Sequence, residues 1–189
     1  MACKQTPSQT VGPFFSLGLD TLNRADISIG KDQPDRITFH GRILDGDGKP
    51  VPDAVIEIWQ ADPEGRYPDA TELAQSRAPK QFFGFGRVPT NDFGEFIFTT
   101  VRPGSVRGPD GQPHAPHLAI SIFMRGLLQR LITRVYFPDE PLNDSDPILA
   151  CIPAERRPTL IARRANNAPN ELEWNIYLQG DQETVFFDC

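Results

Sequence analysis

His114 and His117 form the closest histidine pair in the chain, and imidazoles three residues apart on a helix would share one side and could hold a metal. Pro113 and Pro116 bracket them. Proline removes backbone donors and disfavours helix, while a strand sends side chains three apart to opposite faces, so the pair reads as structural. His40 falls on the polar side of a strand-like run and reads as a solvated or hydrogen-bonded histidine. No G-x-S-x-G, P-loop or dinucleotide-binding glycine pattern offers a competing chemistry. Cys3, Cys151 and Cys189 are widely spaced and odd in number, which suits reduced, inert thiols better than a disulfide framework or a zinc knuckle.

The elements that must position these residues are short strands. Nineteen prolines and 15 glycines interrupt runs of apolar and β-branched residues throughout, the punctuation of an all-β sandwich or barrel. Ile37, Phe39, Gly41 and Ile43 alternate with Thr38, His40 and Arg42 and stop at Asp45-Gly46-Asp47-Gly48, a strand followed by a turn. Further strands are expected at Val55–Trp59, Glu95–Thr100, Leu118–Arg125, Leu131–Phe137, Leu172–Leu178 and Thr184–Phe187. About seven strands suit a two-sheet sandwich. Asp62–Gly86 carries too much Pro, Gly and polar content for one regular element and reads as a long loop with at most a helical turn.

The first 36 residues differ. Pro7, Gly12, Pro13, Gly18 and Pro34 leave little that can pair in a central sheet, yet Val11, Phe14, Phe15, Leu17 and Leu19 are too apolar to leave in water. This segment is expected to be an arm lying against its own core or, more sharply, against a partner. At 189 residues the chain fits one domain, with 1–36 as the arm and 37–189 as the sandwich. A net charge of −6 argues against nucleic-acid binding, and the pairs Arg156-Arg157 and Arg163-Arg164 read as solvated faces. With no apolar stretch long enough to span a bilayer, a cytoplasmic location is expected.

Gly41-Arg42-Ile43-Leu44-Asp45, then Gly48-Lys49-Pro50-Val51-Pro52-Asp53-Ala54-Val55-Ile56-Glu57-Ile58-Trp59-Gln60-Ala61-Asp62, then Gly65-Arg66-Tyr67 resemble the core of the intradiol ring-cleavage dioxygenase family. A generic prealbumin-like sandwich also places a similar turn before a similar strand, and Asn91-Asp92-Phe93-Gly94-Glu95-Phe96 fits that too. Pro7-Ser8-Gln9-Thr10-Val11-Gly12-Pro13-Phe14-Phe15 and the stretch from Gln179 to Asp188 resemble the two ends of the α chains in the family's αβ enzymes that cleave protocatechuate.

The resemblance implies a two-sheet β-sandwich with an extended N-terminal arm, and a chemistry whose metal lies elsewhere. Family members hold Fe(III) through two tyrosines and two histidines, anionic phenolate oxygens suiting a hard trivalent ion. The histidines form H-x-H, but here His117-Leu118-Ala119 supplies only the first, and the tyrosine positions fall on Ala74 and near Val106. The resemblance thus implies a noncatalytic α chain with no metal and no catalytic residue of its own, and Fe(III) held by a β subunit. It further implies that Thr10, Gly12 and Pro13 reach the β subunit's substrate pocket and that Arg125 lies near its entrance. Glycine permits close approach to a flat ring and proline fixes the neighbouring backbone, although an ordinary turn would use the same pair. Arg125 either attracts a substrate carboxylate or makes a structural ion pair. Two other readings stay open: a self-sufficient dioxygenase using Tyr67, Tyr136, Tyr177 and the three histidines, or a prealbumin-like binding module without an enzymatic partner.

Overall fold

Alternation along the first core strand sends Phe39 and Ile43 inward and Thr38, His40 and Arg42 outward, and the chain folds on that division. In the computed structural model, which describes residues 5–28, 36–68, 82–165 and 168–188, this strand is β1, Arg36–Leu44. Ten more strands follow: β2 Val55–Trp59, β3 Phe85–Pro89, β4 Glu95–Val101, β5 Val106–Arg107, β6 Pro113–His114, β7 His117–Phe123, β8 Leu131–Tyr136, β9 Arg163–Arg164, β10 Glu171–Glu173 and β11 Ile176–Tyr177. One sheet is built on β1, with β4 antiparallel on one side and β10 and β11 parallel on the other, β9 flanking β10. The second sheet has the antiparallel order β3-β2-β7-β8. A two-stranded ladder joins β5 to β6.

The two sheets face each other across one apolar cluster, as an all-β sandwich requires. Phe39 stacks on Phe98 at 4.9 Å and meets Phe137 edge-on at 5.8 Å, joining the β1 sheet to the chain leaving β8. Leu118, Ile120 and Ile122 of β7 are fully buried from the opposite side. A smaller cluster of Ala115, Tyr136, Leu149, Ile152 and Leu160 lies under the chain after β8, where Pro147–Ala150 forms a short α-helix, α2; α1 is Phe14–Gly18 in the arm. The fully buried Gln60 side chain is satisfied within the core: it donates to the carbonyls of Ala61 and Val101 and accepts from the Thr100 hydroxyl.

Several expected boundaries shift for identifiable reasons. The run Leu172–Leu178 splits into β10 and β11, because at Trp174-Asn175 the backbone leaves the ladder while the Asn175 side chain takes the Arg42 N–H at 3.0 Å. Gly41 makes this possible: a Cβ there would collide with the Trp174 carbonyl and the Phe96 ring. Thr184–Phe187 does not form a strand; it runs beside β8 through one backbone bond, Phe187 N–H to Ile132 O at 2.8 Å, and the Thr133 hydroxyl to Val185 O. Phe85–Pro89, of which only Phe85 and Gly86 fell in the expected loop and the rest were unassigned, is β3, held by pairing with β2 despite its glycine and proline. Among the described residues eleven strands stand where about seven were expected: β3 is added, β10 and β11 share one expected run, Thr184–Phe187 drops out, and β5, β6 and β9 are two-residue ladders too short to show alternation.

The arm is not wholly extended. Phe14–Gly18 forms the short helix α1, and Asp20–Leu22 a 3-10 turn. Beyond them Arg24 pairs with Arg87 of β3 while Asp26 bridges to Thr99 of β4, so the arm ties the two sheets along one side. Ile27 is buried in the main core there.

Gly41→Ala should therefore lower stability by about 1–3 kcal/mol, because the added methyl must displace the Trp174 carbonyl or the Phe96 ring. Urea unfolding would show a reduced midpoint with an unchanged slope.

Candidate functional site

Because Leu118, Ile120 and Ile122 fill the core, pleating sends His117, Ala119, Ser121 and Phe123 to the outer face of the second sheet. Their neighbours on that face follow from the register. Ala119 lies opposite Trp59 on one side and Arg134 on the other, and Trp59 lies opposite Phe85. His117 lies opposite Tyr136. Tyr67, from the loop after β2, stacks on Trp59 with ring centres 5.9 Å apart and planes 8° from parallel.

His114 and His117 converge, contrary to the strand rule applied to them. They belong to different strands, β6 and β7, and the chain turns at Ala115-Pro116 between them, so both rings enter one buried cluster 6.2 Å apart. His117 Nδ1 donates to the Ala115 carbonyl at 2.7 Å, and the Arg134 guanidinium donates to His114 Nδ1 at 3.2 Å. Burial, reinforced by the nearby Arg134 charge, lowers the His117 pKa to about 4. Burial also raises the Tyr136 phenol, whose hydroxyl donates to Asp146 Oδ1 at 3.2 Å. Asp146 is fully buried and further accepts from the backbone N–H groups of Ala115, Ile148 and Leu149, capping α2. Burial raises the Tyr67 phenol, partly offset by Arg134.

The positions that the resemblance relates to iron carry no ligand set here. Val106 lies in β5 opposite His114, Ala119 offers a methyl, and Ala74 lies outside the described residues. Among the described residues no group of three or more His, Cys, Asp or Glu is arranged to hold a metal ion. Tyr177 belongs to the other sheet, and His40 lies on its outer face with Nε2 3.5 Å from Glu171.

The arm residues and Arg125 are brought together at the far end of β7. Phe15 packs on Phe123 with ring centres 5.6 Å apart, and the Thr10 hydroxyl accepts the Gly126 N–H at 2.8 Å. Gly12 and Pro13 are exposed; the Gly12 carbonyl takes the Phe15 N–H as α1 begins, and open space surrounds the position a Cβ would take. Arg125 pairs with Asp53 at 2.7 Å. On the outer side of α1 and the turn after it, Phe14, Leu17 and Leu22 remain 77%, 69% and 59% exposed. Arg134 and Asp146 were not singled out from the sequence, although a lone cation inside Leu-Ile-Thr-Arg-Val-Tyr and an Asp-Pro helix start were signals for them.

The family model described as Dioxygenase matches residues 12–180, and the chain belongs to this family, whose intradiol members depend on non-haem iron. It is similar to the protocatechuate 3,4-dioxygenase alpha chain of Burkholderia cepacia, at 39% identity over 98% of each chain. The beta chain from the same organism is 34% identical, covering 86% of this chain and 72% of that one. A solved dioxygenase domain from a carbohydrate-binding fusion of Streptomyces sp. SirexAA-E superposes with a TM-score of 0.63 at 22% identity, covering 86% and 89% of the two chains, a likeness of fold. Among the described residues no helix is long and apolar enough to cross a membrane.

The His117 environment sets a pH dependence of stability. Its folded pKa lies below the ordinary 6.5, so protons bind the unfolded chain more readily between 6.5 and about 4. Stability is full above that window and falls as pH drops through it, by up to about 3 kcal/mol from this group. The urea midpoint of His117→Asn, followed from pH 7 to 4, should fall less steeply than that of the wild type.

Proposed function

We propose that this chain is the noncatalytic α subunit of a protocatechuate 3,4-dioxygenase, a cytoplasmic αβ enzyme that opens protocatechuate with dioxygen between its two hydroxyl-bearing carbons to give 3-carboxy-cis,cis-muconate. The observation that carries this reading is the near end-to-end likeness to an alpha chain, supported by the lack, among the described residues, of any group of three or more His, Cys, Asp or Glu arranged to hold a metal. His117 is the one remaining histidine at the H-x-H position, its partner is Ala119, and the Arg134 guanidinium stands across from that methyl. One neutral imidazole beside a fixed cation does not fit Fe(III). The iron in this reading belongs to the β subunit, and no step of the chemistry passes through this chain's own residues.

What the chain contributes is shape and field. Phe14, Leu17 and Leu22 form an apolar edge on the arm that suits burial against the β subunit, with residues 1–36 as the arm and 37–189 as the sandwich of one domain. Thr10, Gly12 and Pro13 form the pocket wall in this reading. Thr10 is anchored by Gly126, so the wall has a fixed support, and exposed Gly12 leaves its flank open to a flat ring. Arg125 follows in the same turn, and its pairing with exposed Asp53 holds the guanidinium near the arm without removing it from solvent.

Expressed alone, the chain should contain no iron and consume no oxygen with protocatechuate, whereas co-expression with a β chain from the same genome should yield a coloured, iron-loaded, active complex. Iron and turnover in the isolated chain would overturn the assignment. In that complex Arg125→Gln should raise KM for protocatechuate by roughly 5- to 150-fold, corresponding to about 1–3 kcal/mol, with little change for catechol, which lacks the carboxylate. Equal effects on both substrates would mean that Arg125 acts only through Asp53.

A further inference from the structure

The rung that crosses the outer face of the second sheet reads Phe85, Trp59, Ala119, Arg134. Two aromatic rings stand at one end, a guanidinium at the other, and a methyl between them. Ser121, the next outward residue on β7, keeps the floor low. Adjacent strands lie about 4.8 Å apart, so Trp59 and Arg134 flank Ala119 across roughly 10 Å, wide enough for a six-membered ring bearing one carboxylate. Tyr67 stacks on Trp59 and thickens the aromatic wall, and it is close enough to Arg134 to feel its charge.

Arg134 is half-buried and makes no ion pair among the described residues. Of its five donors one bonds His114 Nδ1, with the Tyr136 phenol its other polar neighbour, so most of the fork is uncommitted. The buried carboxylate of the cluster, Asp146, has both oxygens engaged by Tyr136 and three backbone N–H groups. Glu57, on the same face, is committed to Arg87. A partly desolvated guanidinium without a counterion favours an anion, and its planar fork matches a carboxylate. The rung carries a methyl at the position the resemblance gives to a second histidine, with a guanidinium beside it, an arrangement that suits an anion.

We propose that this face of the chain, over Ala119 between the Trp59–Tyr67 stack and Arg134, binds a small planar aromatic carboxylate. The ring lies against the aromatic wall and the carboxylate pairs with Arg134. This site belongs to the chain itself and does not depend on the presence of a β subunit.

Benzoate titrated into the full chain by calorimetry tests it, with acetate as the anion lacking a ring. Saturable one-to-one binding of benzoate, at least tenfold tighter than acetate, is expected. Arg134→Gln should weaken benzoate at least tenfold while Arg134→Lys recovers part of the loss, and Ala119→Phe should block the floor with the cation still in place. If Arg134→Gln does not fold, Ala119→Phe alone decides. Benzoate binding unchanged in the folded variants, equal affinity for acetate, or no saturable binding below about 10 mM would overturn the proposal. Failure of the chain to associate with a β chain would bear on the subunit assignment and leave this measurement intact.

Discussion

The pleat of β7 is the constraint on which the rest of the molecule depends. Leu118, Ile120 and Ile122 are fully buried between the sheets, so the residues between them have no choice of side. His117, Ala119, Ser121 and Phe123 are carried together to the outer face, where His117 joins the buried cluster around Tyr136 and Phe123 receives the arm through Phe15. A register slip of one residue would empty the core and scatter both features. The hydrophobic burial that stabilises the sandwich thus also positions its chemistry, at no separate energetic cost.

Two close approaches of backbone hold the frame around that strand. At Gly41 the absence of a Cβ lets the Trp174 carbonyl sit against β1, and the chain can then place both β10 and β11 along one edge. At Gly86 the arm crosses β3, where a Cβ would press on Ile27 at 2.7 Å and the Arg24 carbonyl at 3.0 Å. The arm is therefore two things in succession: an element of the chain's own core at Arg24–Ile27, and an apolar outer edge at Phe14, Leu17 and Leu22 that the described residues leave uncovered.

The cluster beside β7 is held together by hydrogen bonds among its own polar groups. His117 donates to Ala115, Tyr136 to Asp146, and Arg134 to His114, while Asp146 gathers the N–H groups at the start of α2. His117 Nδ1, the Tyr136 hydroxyl and both Asp146 oxygens have partners, which is the condition for burying them. Burial keeps His117 neutral and the Tyr136 phenol protonated, so neither is poised as an anionic ligand or a base near neutral pH.

Period-two alternation was legible wherever a strand was long enough to carry it, so Val55–Trp59 matches residue for residue and β1, β4, β7 and β8 lie within two residues of expectation. The motifs around Trp59 and at both ends likewise pointed to the dioxygenase family and to the α chains within it. Composition and spacing could not reveal that His114 and His117 meet, because that depends on a chain turn at Ala115-Pro116 which puts them on separate strands. They could not reveal that Arg134 stands opposite Ala119, or that Asp146 reaches Tyr136, because cross-strand register and buried hydrogen bonds join residues distant in sequence. Local sequence determines which face a side chain takes along its own strand; only the packing of one strand beside another decides what it meets there.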